Sequence, residues 1–443
     1  MVDAREAVVA AVARQARQYE SMPPVGAVVE GMDARDVRLA MAIHRTVIER
    51  WITLEYLLET RLRGEVADLE PTLQAILLCG GAELVFMNSA AHAVVDESVK
   101  MAKRMLRTGA GGLVNAVLRR MAEMVVERRE EGGWKPGRDV LPMGEGLIRL
   151  GGAMLPPVDQ WSVHLAVATS HPQELVEAWA TRYGREQTVA MLLHSLKEAP
   201  TIVRASAEVV AGLGPAMAVE HERAGYAVWR GDAAGLVAYL GGGADRWAQD
   251  PTSGSVIEKT RDIEAKLIVD YCAGRGTKTR QLAMAHPEAQ IVATDPDAGR
   301  FAELSAVFEG HERVKVVAFE EMGQFAGQAD VLLLDVPCSN SGVLARRKEA
   351  RYRYRTDLLA SLSKLQRQIV RDAAGLLKRE GDRVVGTVIY STCSIEPAEN
   401  EVQAAWAAKM LGMKVERSEL TLPGGAETTY HDGGFFAVIG PER

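Results

Sequence analysis

The sequence predicts three regions: an all-α N-terminal region, a small α+β middle subdomain and a C-terminal α/β domain of the doubly wound, Rossmann-like kind. Three observations carry this reading. Helical apolar spacing continues to about residue 128 without strand alternation. From about residue 246, short apolar runs alternate with helical segments, the pattern of a sheet covered on both faces. The first of those runs leads into a loop bearing Gly274 and Gly276 and then a helix, a local arrangement in which backbone amides can approach a ligand closely.

The elements follow in order. Within residues 1–128, Val8, Val12, Ala16 and Tyr19 share one helical face, and Leu73, Ile76, Leu77 and Leu84 mark a second buried segment. Residues 129–164 are expected to be a linker, because ERREEGGWKPGR is charged and then rich in Gly and Pro, and Gly151 to Pro157 reads as another loop. Residues 165–245 are expected to form the α+β subdomain, with helices at Pro172 to Tyr183 and around Gln187 to Leu196, and strands at Thr201 to Arg204 and Ala227 to Trp229. Residues 246–443 hold strands at Leu267 to Val269, Ile291 to Thr294, Val314 to Val317, Val331 to Leu334, Val384 to Tyr390, Met413 to Glu416 and Phe435 to Ile439. The clearest helix between them carries Leu362, Leu365, Ile369, Ala373 and Leu376.

At 443 residues the chain exceeds one core, and domains of ~150 residues give roughly three units. With 47% hydrophobic and 25% charged residues it has an ordinary globular composition, and no apolar run approaches the ~18 residues of a membrane span. Its four cysteines include no C-x-x-C pair, so neither a disulfide framework nor a metal site is expected, and a reducing, cytoplasmic setting fits. The net charge of -7 argues mildly against nucleic acid. Local charge argues the other way. Arg346, Arg347, Lys348, Arg351, Arg353 and Arg355 surround one Glu349 with Tyr352 and Tyr354 interleaved, which suits phosphate contact with base stacking, or equally a solvated helix start.

The segment LIVDYCAGRGTKTRQLA is a strand, an acidic turn, a glycine-bearing loop and a helix. Asp295 ends the next strand, 25 residues beyond Asp270 and near the ~20-residue offset at which an acid meets a ribose hydroxyl. Glu320 and Glu321 follow the third strand and Asp335 ends the fourth. Acids after four strands suit a cofactor with ribose hydroxyls, an adenine amine and a cationic sulfonium, whereas they repel a pyrophosphate. That favours S-adenosylmethionine over a nicotinamide dinucleotide. Taken singly, Asp270 or Asp295 has a lesser alternative as a helix cap, which the set of acids makes weaker still.

Two cysteines stand in turns after consecutive strands, Cys338 in DVLLLDVPCSNSGVL and Cys393 in VVGTVIYSTCSIEPAENE. In an open α/β sheet, chemistry collects outside the carboxyl ends of the strands, so both thiols are expected at one crevice. Carbon 5 of a cytosine is a poor nucleophile, and methylating it needs a transient covalent bond to ring carbon 6, for which a thiolate is the natural reagent. A free thiol of pKa ~8.5 must be brought lower by amides or cations for that task. A base must later remove the proton on carbon 5. Two cysteines and a carboxylate fit the sequence of steps, with Asp335 on the pyrimidine edge and Pro337 and Pro397 fixing the turns. Either cysteine alone reads as a buried structural thiol, the reading adopted for Cys79 and Cys272.

DVPCSNSGVLARRKEARYRYR and YSTCSIEPAENE resemble the two cysteine motifs of the Sun family of RNA 5-methylcytosine methyltransferases, and VDYCAGRGTKT resembles their cofactor loop. WAQDPTSG and HDGGFFAVI also match, and HAVVDESVKMAKRMLRTGAGGLVNAVLRRM is similar to the NusB-like helical domain of the bacterial ribosomal, RsmB-like branch. The resemblance covers nearly the whole chain. It implies a class I methyltransferase domain behind a NusB-like RNA-binding domain, with Cys393 as nucleophile and Cys338 promoting release. Cys272, Ala273, Gly274, Arg275, Gly276, Thr277, Lys278, Asp295, Glu320 and Asp335 would hold the cofactor. The family loop reads Cys-Ala-Ala-Pro-Gly-Gly-Lys, whereas Gly274, Arg275 and Thr277 replace its second alanine, its proline and its second glycine. Arg275 brings a cation near the sulfonium unless it turns outward, and Thr277 resists a positive φ. Glu320 stands for an aspartate and Val336 for an alanine.

The expected protein is a monomer acting on RNA, ribosomal first and transfer RNA second, on a cytosine that is single-stranded or flipped out. Arg346, Arg347 and Arg351 would contact that RNA. A second class stays open, an RNA-binding or ribosome-assembly protein of the same fold whose altered loop has lost methyl transfer. A nicotinamide oxidoreductase is a distant third, supported by the sheet alone.

Overall fold

The computed structural model describes residues 3–19, 21–23, 31–243 and 245–441. It divides into two compact units, one of Met1–Glu198 with Leu344–Arg355 and the other of Ala199–Val343 with Thr356–Arg443.

In the first unit, helices Ala4–Ala16, Ala34–Glu59, Pro71–Val85, Ala91–Met105 and Ala110–Ala122 pack around Val8, Val12, Ile43, Trp51, Leu54, Leu77 and Leu118. Their starts are written in the sequence. Asp3 and Asp33 cap the first two by accepting from Arg5 N and from Arg35 N and Asp36 N, and Glu70 with Pro71 opens the third. Residues 129–164 are not a linker. Val125–Arg129, Val140–Pro142 and Leu147–Leu150 form an antiparallel sheet, and Leu141, Ile148, Leu150 and Leu155 are buried in the same core. The expectation fits the turn from Glu130 to Lys135, where charge and glycine punctuate the chain, and the loop from Gly151 to Pro157. Helices Trp161–Thr169, Gln173–Tyr183 and Arg185–His194 also belong to this unit, so the α+β subdomain begins near residue 199 rather than 165.

Leu344–Arg355 completes the first unit as a buried strap. The helix Ala34–Glu59 is kinked at Arg50 (φ -118°, ψ 17°). Tyr352 fills the break. Its hydroxyl donates to Ile48 O at 2.6 Å and accepts from Trp51 N at 3.3 Å, while Ile52 N turns to Ser170 Oγ at 3.1 Å. The opened backbone groups are thereby satisfied, as burial requires.

In the second unit, Ile202–Arg204, Tyr226–Trp229 and Ala218–Glu220 form a small antiparallel sheet with its own core of Val203, Val210, Trp229 and Tyr239. The large sheet has seven strands: β1 (Leu267–Asp270), β2 (Gln290–Ala293), β3 (Val314–Val316), β4 (Val331–Asp335), β5 (Thr387–Thr392), β6 (Met413–Thr421) and β7 (Gly434–Pro441). Their order is β3-β2-β1-β4-β5-β7-β6, with β7 alone antiparallel to its two neighbours and the other six strands running the same way. Alternate residues serve opposite faces. Val269, Leu332, Leu334, Val388 and Tyr390 pack on one side, and Ile268, Leu333, Ile389 and Val438 on the other. Pairing of Asp270 with Leu333 and of Asp335 with Ser391 sets the carboxyl ends of β1, β4 and β5 side by side.

Candidate active site

The crevice at those carboxyl ends gathers most of the expected residues. β4 delivers Asp335 and the Cys338 turn, and β5 delivers Ser391 and the Cys393 turn. The two sulfurs lie 3.0 Å apart. Asn340, at φ 62°, joins both turns, donating from Nδ2 to Cys338 O at 3.1 Å and accepting from Cys393 Sγ at 3.2 Å. The hydrogen bond with Cys393, burial and the charge of Cys393 together push the Cys338 thiol well above its ordinary value, so it is held protonated.

Lys278 follows the cofactor loop, in the first turn of the helix Thr277–Ala285. Its ammonium donates to Asp335 Oδ2 at 2.8 Å and to Ser253 Oγ at 3.2 Å, and Ser391 Oγ donates to Asp335 Oδ1 at 2.7 Å. Burial works to lower Lys278, but Asp335 and the Cys393 sulfur outweigh it and hold the lysine above its ordinary value, hence charged. Lys278, Asp335, Cys393, Ser253 and Asp432 line a cavity of about 110 Å³. Sequence reading missed Ser253, Ser391 and Asn340. All three lay within quoted motifs, but nothing in the spacing marks which polar side chain points inward.

The cofactor loop closes at the end of β1. Gly274 (φ 58°) and Gly276 (φ 83°) take the left-handed backbone, and a Cβ on Gly276 would stand 2.6 Å from Phe308 Cε2. Thr277 instead begins the helix Thr277–Ala285, so the anticipated conflict over a positive φ does not arise. Arg275 turns outward onto Glu303 at 2.7 Å and is exposed. Asp295 is buried, accepting from Gly274 N at 3.0 Å and Asp297 N at 2.9 Å, with Arg300 at 3.7 Å. Asp270 accepts from Thr279 Oγ1 at 2.7 Å and leaves its other oxygen buried without a partner. Burial above all, with the charge of Asp335 adding to it, raises Asp270 to about 7. Burial likewise pushes the Cys272 thiol up, in keeping with a structural role, and Ala273 is buried beside it. Glu320 stands exposed at the start of the 3-10 helix Phe319–Phe325 that follows β3. A left-handed glycine loop, a buried acid after β2 and an orphaned carboxyl oxygen fit a ligand rich in hydroxyl and amine donors.

The arginine run divides. Arg346 and Arg347 are exposed, but Arg351 is wholly buried and donates to Glu49 O, Ser195 O and Leu344 O at 3.4, 3.2 and 3.5 Å. Lys348 is buried against Glu49. The expected RNA contact from Arg351 is therefore corrected: a guanidinium committed to carbonyls inside the core cannot reach a phosphate. Among the described residues no helix is long and apolar enough to cross a membrane, and no group of three or more His, Cys, Asp or Glu could hold a metal ion.

A sheet of this order, with a glycine loop after β1 and acids after β1, β2 and β4, defines a class I methyltransferase that uses S-adenosylmethionine. Comparison with known proteins makes the class specific. Residues 257–431 match the family of 16S rRNA methyltransferase RsmB/F, and residues 3–123 match the NusB family. Ribosomal RNA small subunit methyltransferase B of Vibrio cholerae is 28% identical over 435 residues, covering 92% of this chain and 90% of its own. The Klebsiella pneumoniae protein of the same name is 26% identical over 437 residues, covering 94% and 92%. Among solved structures, PH0851 covers 99% of both chains at a TM-score of 0.69 and 19% identity. A methyltransferase homolog protein from Pyrococcus horikoshii covers 65% of this chain and 100% of its own at 0.51 and 20%. Residues 257–431 are thus an S-adenosylmethionine-dependent RNA cytosine-5 methyltransferase domain of the RsmB/F kind, and residues 3–123 are a NusB domain.

Proposed function

We propose that this enzyme methylates carbon 5 of one cytosine in small-subunit ribosomal RNA through a covalent bond between Cys393 and ring carbon 6. The observation that carries the reading is the pair of thiols 3.0 Å apart beside a cavity walled by Lys278 and Asp335. The relatives named for small-subunit ribosomal RNA support the substrate. Bound S-adenosylmethionine supplies the methyl group, with the loop from Cys272 to Lys278, Asp295, Glu320 and Asp335 on its side of the crevice. A cytosine inside a duplex cannot enter the cavity, so the base is flipped out or single-stranded.

Lys278 and Cys393 line the same cavity, and Cys393 reacts in its thiolate form. That thiolate attacks carbon 6 as carbon 5 takes the methyl group, and Asp335, with Lys278 and Ser391, meets the polar edge of the ring. Once the Cys393 sulfur is bonded to carbon, its charge and its hydrogen bond no longer hold the Cys338 proton. Cys338 then releases its proton to solvent in the crevice and, as a thiolate, takes the proton from carbon 5, while the electrons of that C–H bond reform the ring double bond and the bond from carbon 6 to Cys393 breaks to restore the Cys393 thiolate. Arg346 and Arg347 supply phosphate contacts. The altered cofactor loop does not argue for lost activity, since Arg275 faces away and Thr277 is helical. The protein acts as a monomer in the cytoplasm, where its four free cysteines stay reduced.

The test is methyl transfer from labelled S-adenosylmethionine to protein-free small-subunit RNA and, separately, to transfer RNA, followed by mapping of 5-methylcytosine. A single labelled cytosine in the small-subunit RNA is expected. Label confined to transfer RNA, or on another base, overturns the assignment.

A further inference from the structure

Glu399 lies in the turn between β5 and the helix Glu401–Leu411, with no exposed surface and no ion pair among the described residues. A buried carboxylate without a cation is costly unless donors surround it, and here four donors converge. Oε1 accepts from Ser339 N at 2.9 Å and Gln366 Nε2 at 3.1 Å. Oε2 accepts from Ser339 Oγ at 2.5 Å and Ser394 Oγ at 2.6 Å. Ser339 directly follows Cys338, and Ser394 directly follows Cys393. Gln366 also donates to Pro337 O at 3.0 Å, just before Cys338.

The backbone that carries the carboxylate is pinned, because Tyr390 OH donates to the Glu399 carbonyl at 2.7 Å and the Glu399 amide donates to Glu396 O at 3.0 Å. Around it the two turns are stitched further. Ser394 Oγ accepts from Glu396 N at 2.9 Å and lies 3.1 Å from Ser341 Oγ, which accepts from Ile395 N at 3.0 Å. With the Glu396 amide and the Ser341 hydroxyl beside it, the Ser394 hydroxyl directs its own proton to the carboxylate.

We propose that Glu399 is the positioning residue for both thiols, one carboxylate serving as the shared acceptor that fixes the Cys338 turn against the Cys393 turn. It touches neither sulfur and acts through Ser339 and Ser394. The inference rests on the assignment of Cys393 and Cys338 as the reacting pair. Glu399→Gln tests it with little change in shape, since an amide NH₂ replaces one acceptor and meets the serine hydroxyls donor to donor.

The separation of the thiols has a readout independent of methylation. Diamide, an azo oxidant reduced to its hydrazine, converts two adjacent thiols to a disulfide, and the rate reports how well the turns hold the sulfurs together. In the full chain, Glu399→Gln should slow formation of the Cys338–Cys393 disulfide at least tenfold and lower kcat at least thirtyfold. The KM for S-adenosylmethionine should stay within twofold and the melting temperature within a few degrees. Ser394→Ala, which cuts only the tie to the Cys393 turn, should give the same pattern more weakly, and it decides the matter if Glu399→Gln does not fold. Unchanged disulfide rates in both variants overturn the proposal, as does a loss of cofactor binding and melting temperature in parallel, which marks a general structural role. Slowed disulfide formation in a protein whose wild type transfers no methyl group to RNA would support the positioning role while removing the proposed function.

Discussion

Asp270 ends β1 without exposed surface, and its carboxyl is raised from 3.8 to about 7, chiefly by burial. The folded protein therefore keeps a proton between about pH 4 and 7 that the unfolded chain has released. The stability this contributes is complete below pH 4, declines as pH rises to about 7 and is absent above it. Asp270→Asn removes the dependence. At pH 8 the variant should be more stable than the wild type by about 4 kcal/mol, and near pH 4 the two should nearly coincide in urea unfolding. Equal stability at both pH values would show that Asp270 ionises in the fold at no cost. The sequence marked this acid as part of the cofactor end, but its burial and its bond to Thr279 were not legible. Lys278 shows the same limit. It stands one residue inside the helix start, and whether a first-turn side chain meets the cofactor or Asp335 depends on how the helix is set against the sheet.

At the scale of elements, the strap Leu344–Arg355 shows where pattern and position part. Alternating arginine and tyrosine reads alike as an RNA-facing strip and as a buried segment. The acceptors that draw Lys348, Arg351 and Tyr352 inward, Glu49, Ser195 O and Ile48 O, are distant in sequence. The strap's place in the first unit gives a direct test. Tyr352→Phe leaves Trp51 N and Ile48 O unpaired at the kink, so stability of the chain to urea should fall by about 1–3 kcal/mol. An unchanged unfolding midpoint would mean that the kink satisfies itself. The residues 129–164 were misjudged for a related reason: strands of three to five residues are too short for alternation to stand out beside a glycine-rich turn.

For the whole molecule, the catalytic half was the most legible, because parallel strands covered on both faces appear as continuous apolar runs and β1 to β5 are such runs. The convergence of the two cysteine turns followed from strand position alone, whereas the 3.0 Å separation and the Glu399 network behind it required the fold. The proposed order of the two thiols is read by denaturing electrophoresis of protein incubated with small-subunit RNA and S-adenosylmethionine. Cys393→Ala should abolish both methylation and any covalent complex. Cys338→Ala should transfer one methyl group and then accumulate a denaturation-resistant complex of protein and RNA. A complex that forms in Cys393→Ala and disappears in Cys338→Ala would contradict the account and assign the nucleophile to Cys338.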